Sequence, residues 1–377
     1  TYSYDSRGNI LEKKTYAFTL GTLGTAQSTH TYGYATDSWK DRLTSYNGQT
    51  ITYDAIGNPL TYNNGSAYTF TWEGRQMQSA TKDLKTWTYT YNSDGLRTGK
   101  TNGSTTYSYK WNENGQLSSM VCGTSSAWFY YDYEGKPLYM EYADGNDECS
   151  GTYRYILNLQ GDVVGLYDLT RDCMAMTYTY DAWGRELSWS TLNSGYAGLL
   201  YGNPLTYRGY IYDSETGFYY LQSRYYDPTI GRFLNADDTA FLGASGTLLG
   251  WNLFVYCENN PVSGFDYSGY FYISYKTLKR ILDPISYLAD AVKWVTGKSL
   301  WSTIQPIVVP ILTYYVALLF AWVQGAPLIG QIVFCFIVVG AAIFAAEVAY
   351  AYYIMHTGIE ITVKWVWFTP RISIKFR

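Results

Sequence analysis

From Thr1 to about Thr206 the chain alternates aromatic and polar residues with a period of two, and interrupts the alternation with Asp or Asn followed by Gly. The phrases YSYDSRGNI (2–10), ITYDAIGNPL (51–60), YTYNSDGLRTG (89–99), FYYDYEGKPLYM (129–140) and YTYDAWGREL (178–187) carry the pattern most clearly. Weaker copies are TYGYATDSWKDRL (31–43), YTFTWEGRQM (68–77), YSYKWNENGQL (107–117) and YRYILNLQGDVVGLY (153–167). Period-two alternation places Tyr2 and Tyr4, or Tyr89 and Tyr91, on one face of a strand. Asp5, Asp54 or Asp181 then bonds back to the turn backbone, and Gly8, Gly57 or Gly184 takes the left-handed position before the return strand. Each copy therefore predicts a β-hairpin. A lone hairpin is marginal in water, so copies recurring at intervals of roughly 18 to 30 residues are expected to stack into a continuous sheet.

Beyond Tyr270 the pattern changes. Leu278, Ile281, Leu282, Ile285, Leu288, Ala289 and Val292 fall near helical spacing, beside Lys276, Lys279, Arg280, Lys293 and Lys298. They predict an amphipathic basic helix, or two short ones divided at Pro284. From Ser299 to Ala346 there is no charged residue. Ile304–Val323 and Pro327–Ala346 are each about 20 residues, the length that crosses a bilayer core, and Gln324, Gly325 and Ala326 join them. The reading is a transmembrane hairpin over 304–346. Glu347 follows it as a candidate membrane-embedded carboxylate, with an interfacial position as the alternative. His356 reads as interfacial. The closing GIEITVKWVWFTPRISIKFR alternates on both sides of Thr369 and Pro370 and predicts a terminal β-hairpin.

Composition sharpens this picture. The chain holds 43 Tyr and 35 Gly against two His, which suits a turn-dense, mainly β structure. A net charge of −4, with Lys and Arg scattered, predicts no nucleic-acid surface. Cys122, Cys149, Cys173, Cys257 and Cys335 are widely spaced and include no CxxC, so neither a metal site nor a disulfide framework is expected, and no cofactor is called for. His30 stands alone in a Thr-rich strand and reads as surface or packing. The recurring Tyr and Asp suit carbohydrate, but the Asp falls where each turn needs it.

The repeat phrases resemble the YD repeats of the Rhs/YD-repeat family. YDSETGFYYLQSRYYDPTIGRFLNAD (212–237) is similar to that family's repeat-associated core, and GWNLFVYCENNPVSGFDYSGY (250–270) to its closing segment. The resemblance covers about residues 1–270. It implies a spiralling β-hairpin sheet forming part of a shell, closed by the core over 207–270, with a variable C-terminal payload, 271–377. It also implies self-cleavage by an Arg and two Asp: Arg224, Asp237 and Asp266. The cut would separate Tyr270 from Phe271. Tyr267 stands where the family has Pro, Tyr270 where it usually has Leu, and Asp238 competes with Asp237 for the first carboxylate.

The chemistry is coherent without the name. Carboxylate-driven peptide hydrolysis needs two carboxyls sharing a proton, one to activate water and one to protonate the leaving group. An Arg between them would hold one ionised or steady the charge that develops.

The expectation is thus a fragment of a polymorphic toxin, mainly β with an α-helical, membrane-type C-terminal domain. Its partners would be a target-cell membrane, an upstream shell or delivery region, and an immunity protein. Its place would be secreted or at the cell surface. The repeat run looks too short to enclose a payload alone. The rival is a surface or wall-associated binding protein whose apolar tail is an anchor. An enzymatic tail is the weakest reading, because the tail has one His, one Cys and few acids.

Overall fold

The computed structural model describes residues 1–145, 148–239, 242–243, 247–266 and 269, together with the backbone of 272–274, 359–366 and 369–376. The chain divides into two units, Thr1–Ser274 and Tyr275–Arg377. In the first, five strands from Tyr2–Tyr4 to Gln49–Thr50 form one sheet, and fourteen from Thr52–Tyr53 to Glu186–Thr191 form another. Within each sheet every strand pairs with its neighbours in sequence. This is the meander that stacked hairpins require.

The turns follow the predicted chemistry. Asp5 Oδ1 accepts from the backbone N–H groups of Arg7 and Asn9, both at 2.8 Å, and Gly8 sits at φ +77°. Asp54, Asn92, Asp132 and Asp181 accept in the same two positions. The register slips by one residue just before the turn, as at Ser3/Tyr4, Thr90/Tyr91 and Tyr130/Tyr131.

That slip aims the aromatic residue before the turn at a neighbouring strand. Tyr91 Oη donates to the Met77 carbonyl at 2.8 Å, Trp111 Nε1 to Arg97, Tyr131 Oη to Leu117 and Tyr180 Oη to Val163. Each ties its own hairpin to the return strand of the hairpin before it. In these four copies the aromatic before the turn therefore makes an inter-repeat bond, which an isolated hairpin cannot make. On the outer face, hydroxyls pair across strands: Thr52 with Thr61 (2.7 Å), Thr71 with Ser79 (2.6 Å) and Thr179 with Ser188 (2.7 Å). Such cross-strand pairs add a few tenths of a kcal/mol each, roughly, and keep the solvent face polar.

The inner face is aromatic. Tyr62, Tyr68, Phe70 and Tyr89 are buried against Phe218 or Tyr225 of the stretch from 207 onward, and buried Tyr155 and Tyr178 bond Asn203. That stretch forms a small sheet of Ile211–Asp213, Phe218–Tyr220, Tyr225–Asp227 and Arg232–Phe233. It reaches the glycine carbonyls of the repeat turns. Asn259 Nδ2 bonds Gly8 at 2.7 Å, the Ala236 N–H bonds Gly57 at 3.1 Å, Gln222 Nε2 bonds Gly115 at 2.8 Å and Tyr219 Oη bonds Gly184 at 2.8 Å. Buried Arg97 and Lys100 on a repeat strand pair with Asp213 at 2.6 and 2.9 Å, and Lys100 reaches Glu215 at 2.8 Å.

The ring of Tyr2 lies 5.6 Å from that of Trp183, so the first and last repeats meet. The repeats come round, and the space they surround here is filled by Phe218, Tyr219, Tyr226 and Tyr256, all fully buried. Repeats and core are accordingly one compact unit, Thr1–Ser274.

His30 packs as expected, stacked 5.7 Å from the Tyr46 ring and hydrogen-bonded to Asn47. Residues 272–274 pair as a strand with Gly264–Asp266. The expected amphipathic helix carried by positions 278–292, the expected transmembrane hairpin over 304–346, and Glu347 and His356 lie outside the described residues. Among the described residues no helix is long and apolar enough to cross a membrane, and the one α-helix is Leu199–Gly202. In the second unit, Ile359–Val366 pairs antiparallel with Thr369–Phe376. The terminal hairpin is present, with Pro370 pairing with Trp365 inside it.

The inter-repeat bonds give a direct test. Tyr131→Phe keeps the ring and removes the bond to Leu117, and should cost about 1 kcal/mol in chemical denaturation. Tyr133→Phe, at an exposed ring bonded only to the neighbouring Glu134, should change stability by less than about 0.5 kcal/mol.

Candidate functional site

Three elements meet behind the small core sheet. Arg224 precedes the strand Tyr225–Asp227, Asp237 follows Arg232–Phe233, and Asp266 ends Gly264–Asp266. All three are buried: 4, 7 and 2% exposed. Arg224 Nη2 lies 3.0 Å from Asp237 Oδ2 and 3.0 Å from Asp266 Oδ2. The two carboxylates therefore face each other across one nitrogen.

The rest of the guanidinium is also engaged. Nη1 donates to the Leu253 carbonyl at 3.1 Å, Nε donates to the Gly269 carbonyl, and the Phe233 ring lies 3.5 Å beneath Cζ. Every edge of the planar fork is thus fixed, which a lysine could not reproduce. Asp266 Oδ1 accepts from the Gly269 N–H at 2.8 Å, and its own N–H donates to Tyr210 Oη at 3.1 Å. The Asp237 N–H donates to Leu253, and Oδ1 accepts from the Asp238 N–H at 2.7 Å. It is Asp237 whose carboxylate reaches Arg224, while half-buried Asp238 supports it through the backbone.

One guanidinium beside two buried carboxylates leaves a negative charge that burial makes costly, and holding a proton on one carboxyl relieves it. Burial, with Asp266 adding to it, raises Asp237 to about 7 against the opposing pull of Arg224 and Arg75. The pair can therefore carry one proton near neutrality, the state acid–base hydrolysis needs. No group of His, Cys, Asp and Glu among the described residues could hold a metal ion.

Gly269 brings the chain to the site. Its φ is +78°, and a Cβ there would lie 2.7 Å from Ser223 Oγ and 2.9 Å from the Leu221 carbonyl. Both amide groups of Gly269 contact the cluster, its carbonyl accepting from Arg224 and its N–H donating to Asp266. Tyr270 and Phe271, expected to flank a cleaved bond, lie outside the described residues. Sequence reasoning did not single out Gly269, Phe233, Leu253 or Tyr210. Gly269 carried a local sign, its place in the closing phrase DYSGY; the others act through a backbone carbonyl, a ring face or a hydroxyl, contacts that leave no mark in composition.

No family model matches the chain. Among curated proteins it is 30% identical over 274 residues to the tRNA3(Ser)-specific nuclease WapA of Bacillus spizizenii, and 30% identical over 290 residues to the tRNA nuclease WapA of Bacillus subtilis. Each match covers 71% of this chain, which spans 11% of the length of each relative. These names bear on the expectation of no nucleic-acid partner, since both relatives are nucleases. Among solved structures, the crystal structure of TcdB2-TccC3-Cdc42 matches 72% of this chain and 13% of its own, with a TM-score of 0.53 and 19% identity. That likeness is one of fold.

Proposed function

We propose that residues 1–270 are the closing end of an Rhs/YD-repeat toxin shell, and that Arg224, Asp237 and Asp266 cut their own chain after Tyr270. The observation that carries the reading is the single Arg224 nitrogen shared by two buried carboxylates, with Gly269 held against them. Asp266 takes a proton from water, and the water oxygen attacks the Tyr270 carbonyl carbon. Asp237 gives its proton to the departing Phe271 nitrogen as the C–N bond breaks. The products are a Tyr270 carboxylate and a Phe271 amine. Arg224 offsets the charge that builds during attack.

The released segment, 271–377, would act on a target-cell membrane, because the charge-free run from Ser299 to Ala346 supplies two apolar stretches of spanning length. Shell and upstream delivery region would shield it until then, and an immunity protein would guard the producer. A second reading follows from the relatives' names: the segment acts on tRNA, as nucleases called WapA do.

Intact-mass measurement of the purified chain should show a cut after Tyr270 in the wild type and an uncut chain in Asp237→Asn and Asp266→Asn. An uncut wild type refutes the reading. Because Asp237 is the acid and is raised to about 7, release should fall as pH climbs through that value and the proton is lost. A rate that keeps rising above neutrality would remove Asp237 from that role. Expressed alone, 271–377 should depolarise the host membrane and leave tRNA whole. Intact potential with degraded tRNA would select the nuclease reading.

A further inference from the structure

Asp237 is held in place from outside the core. Ala236, its immediate neighbour, is gripped at both amide groups by two successive repeat turns. Its N–H donates to the Gly57 carbonyl at 3.1 Å, and its own carbonyl accepts from Arg75 Nη1. Arg75 lies in the tight connection between the strands Ala67–Glu73 and Gln76–Lys82, where Gly74 sits at φ +55°. The two turns are themselves joined, since Asn58 Nδ2 donates to the Gly74 carbonyl at 2.7 Å and to Asp54 at 2.8 Å. Ala236 packs with Leu253 and Phe254 against Trp39 and Tyr53 of the repeats. There is no slack at Gly57, where a Cβ would come within 2.7 Å of the Ala236 Cβ.

Asp266 and Arg224 are held differently. Their contacts run to Tyr210, Leu253 and Gly269, all within the stretch from 207 onward. Two members of the cluster are thus set by the core, and the third is set where the core meets the repeats.

We infer that Arg75 is a positioning residue for the self-cleavage, fixing Asp237 through Ala236 so that the site is complete only once the repeats have wrapped around the core. The inference rests on the cleavage reading above. It gives the repeats a second role, that of delaying the cut until the container is built. A chain that cut earlier would lose its C-terminal segment before anything surrounded it. Arg75 also bears on Asp237 electrically. The groups facing that carboxyl are Arg224, Asp266, the Asp238 N–H and Arg75; burial and Asp266 raise it, and they outweigh the other three. Arg75 is among those that oppose the rise, so its loss raises Asp237 further and moves the loss of the proton to higher pH.

The test follows the time course of release of 271–377 by mass spectrometry after refolding the full chain, across pH from about 5 to about 9, a range that brackets the inflection of a buried carboxyl of this kind. Arg75→Gln should slow release roughly tenfold, as loss of alignment in an otherwise intact site does. It should also shift the high-pH inflection upward. Arg75→Lys, which keeps the charge and one donor, should recover the inflection and part of the rate. Wild-type release with an unchanged rate and profile in Arg75→Gln overturns the inference and leaves the cleavage reading standing. Slowed release with an unmoved inflection also overturns it, by making Arg75 merely structural. An uncut wild type fails the cleavage reading itself. Should Arg75→Gln fail to fold, the rate and inflection of Arg75→Lys against the wild type decide the same question.

Discussion

The glycine carbonyls of the repeat turns are the joint on which the first unit depends. A turn of this chemistry needs an Asp or Asn to gather the backbone N–H groups and a residue able to take positive φ. Once both are met, the turn glycine faces its carbonyl toward the next layer. The core stretch bonds it at Gly8, Gly57, Gly115 and Gly184, at positions spread from the first repeat to the last. A local rule about turns thereby becomes a rim of acceptors, and the rim fixes where the core can lie. Arg224, Asp237 and Asp266 meet because the core has been laid out along it.

The electrostatics of that meeting are asymmetric. Elsewhere in the core, charges balance: Arg97 and Lys100 answer Asp213 and Glu215, and although burial opposes it, those cations hold Asp213 below the usual carboxylate range, while burial and Asp213 raise Glu215. At Arg224 one cation answers two carboxylates, and Asp237 is raised instead. A structural ion cluster gains from balance. An excess carboxylate in a buried place is costly unless it carries a proton it can give away. The imbalance separates the two clusters in kind and favours chemistry at the second.

Much of the repeat architecture was legible because it is local. Asp5, Asp54 and Asp181 lie four residues or fewer from the N–H groups they receive, so spacing alone revealed them. The inner tyrosines were legible as a face, but the use of Tyr91, Tyr131 and Tyr180 as bonds to the preceding hairpin was not, since the bulge that aims them is a feature of pairing. Arg224, Asp237 and Asp266 came from the family resemblance, and composition does not distinguish them from other acids and bases beside Gly. The link from Arg75 to Ala236 crosses most of the repeat run and starts in one of the weakest copies of the phrase. No pattern along the chain points to it. The contact between Tyr2 and Trp183 was not legible, because length alone does not fix how strongly a sheet curls.

Self-cleavage by carboxylate-activated water has a chemical signature at the new chain end. Refolding the full chain in heavy-oxygen water and sequencing the C-terminal peptide of the shell fragment by mass spectrometry reads that signature most directly. The expected product is a fragment ending at Tyr270 with one solvent oxygen in its carboxylate. A chain that stays whole, a cut at another bond, or a Tyr270 terminus without solvent oxygen would contradict cleavage by Arg224, Asp237 and Asp266.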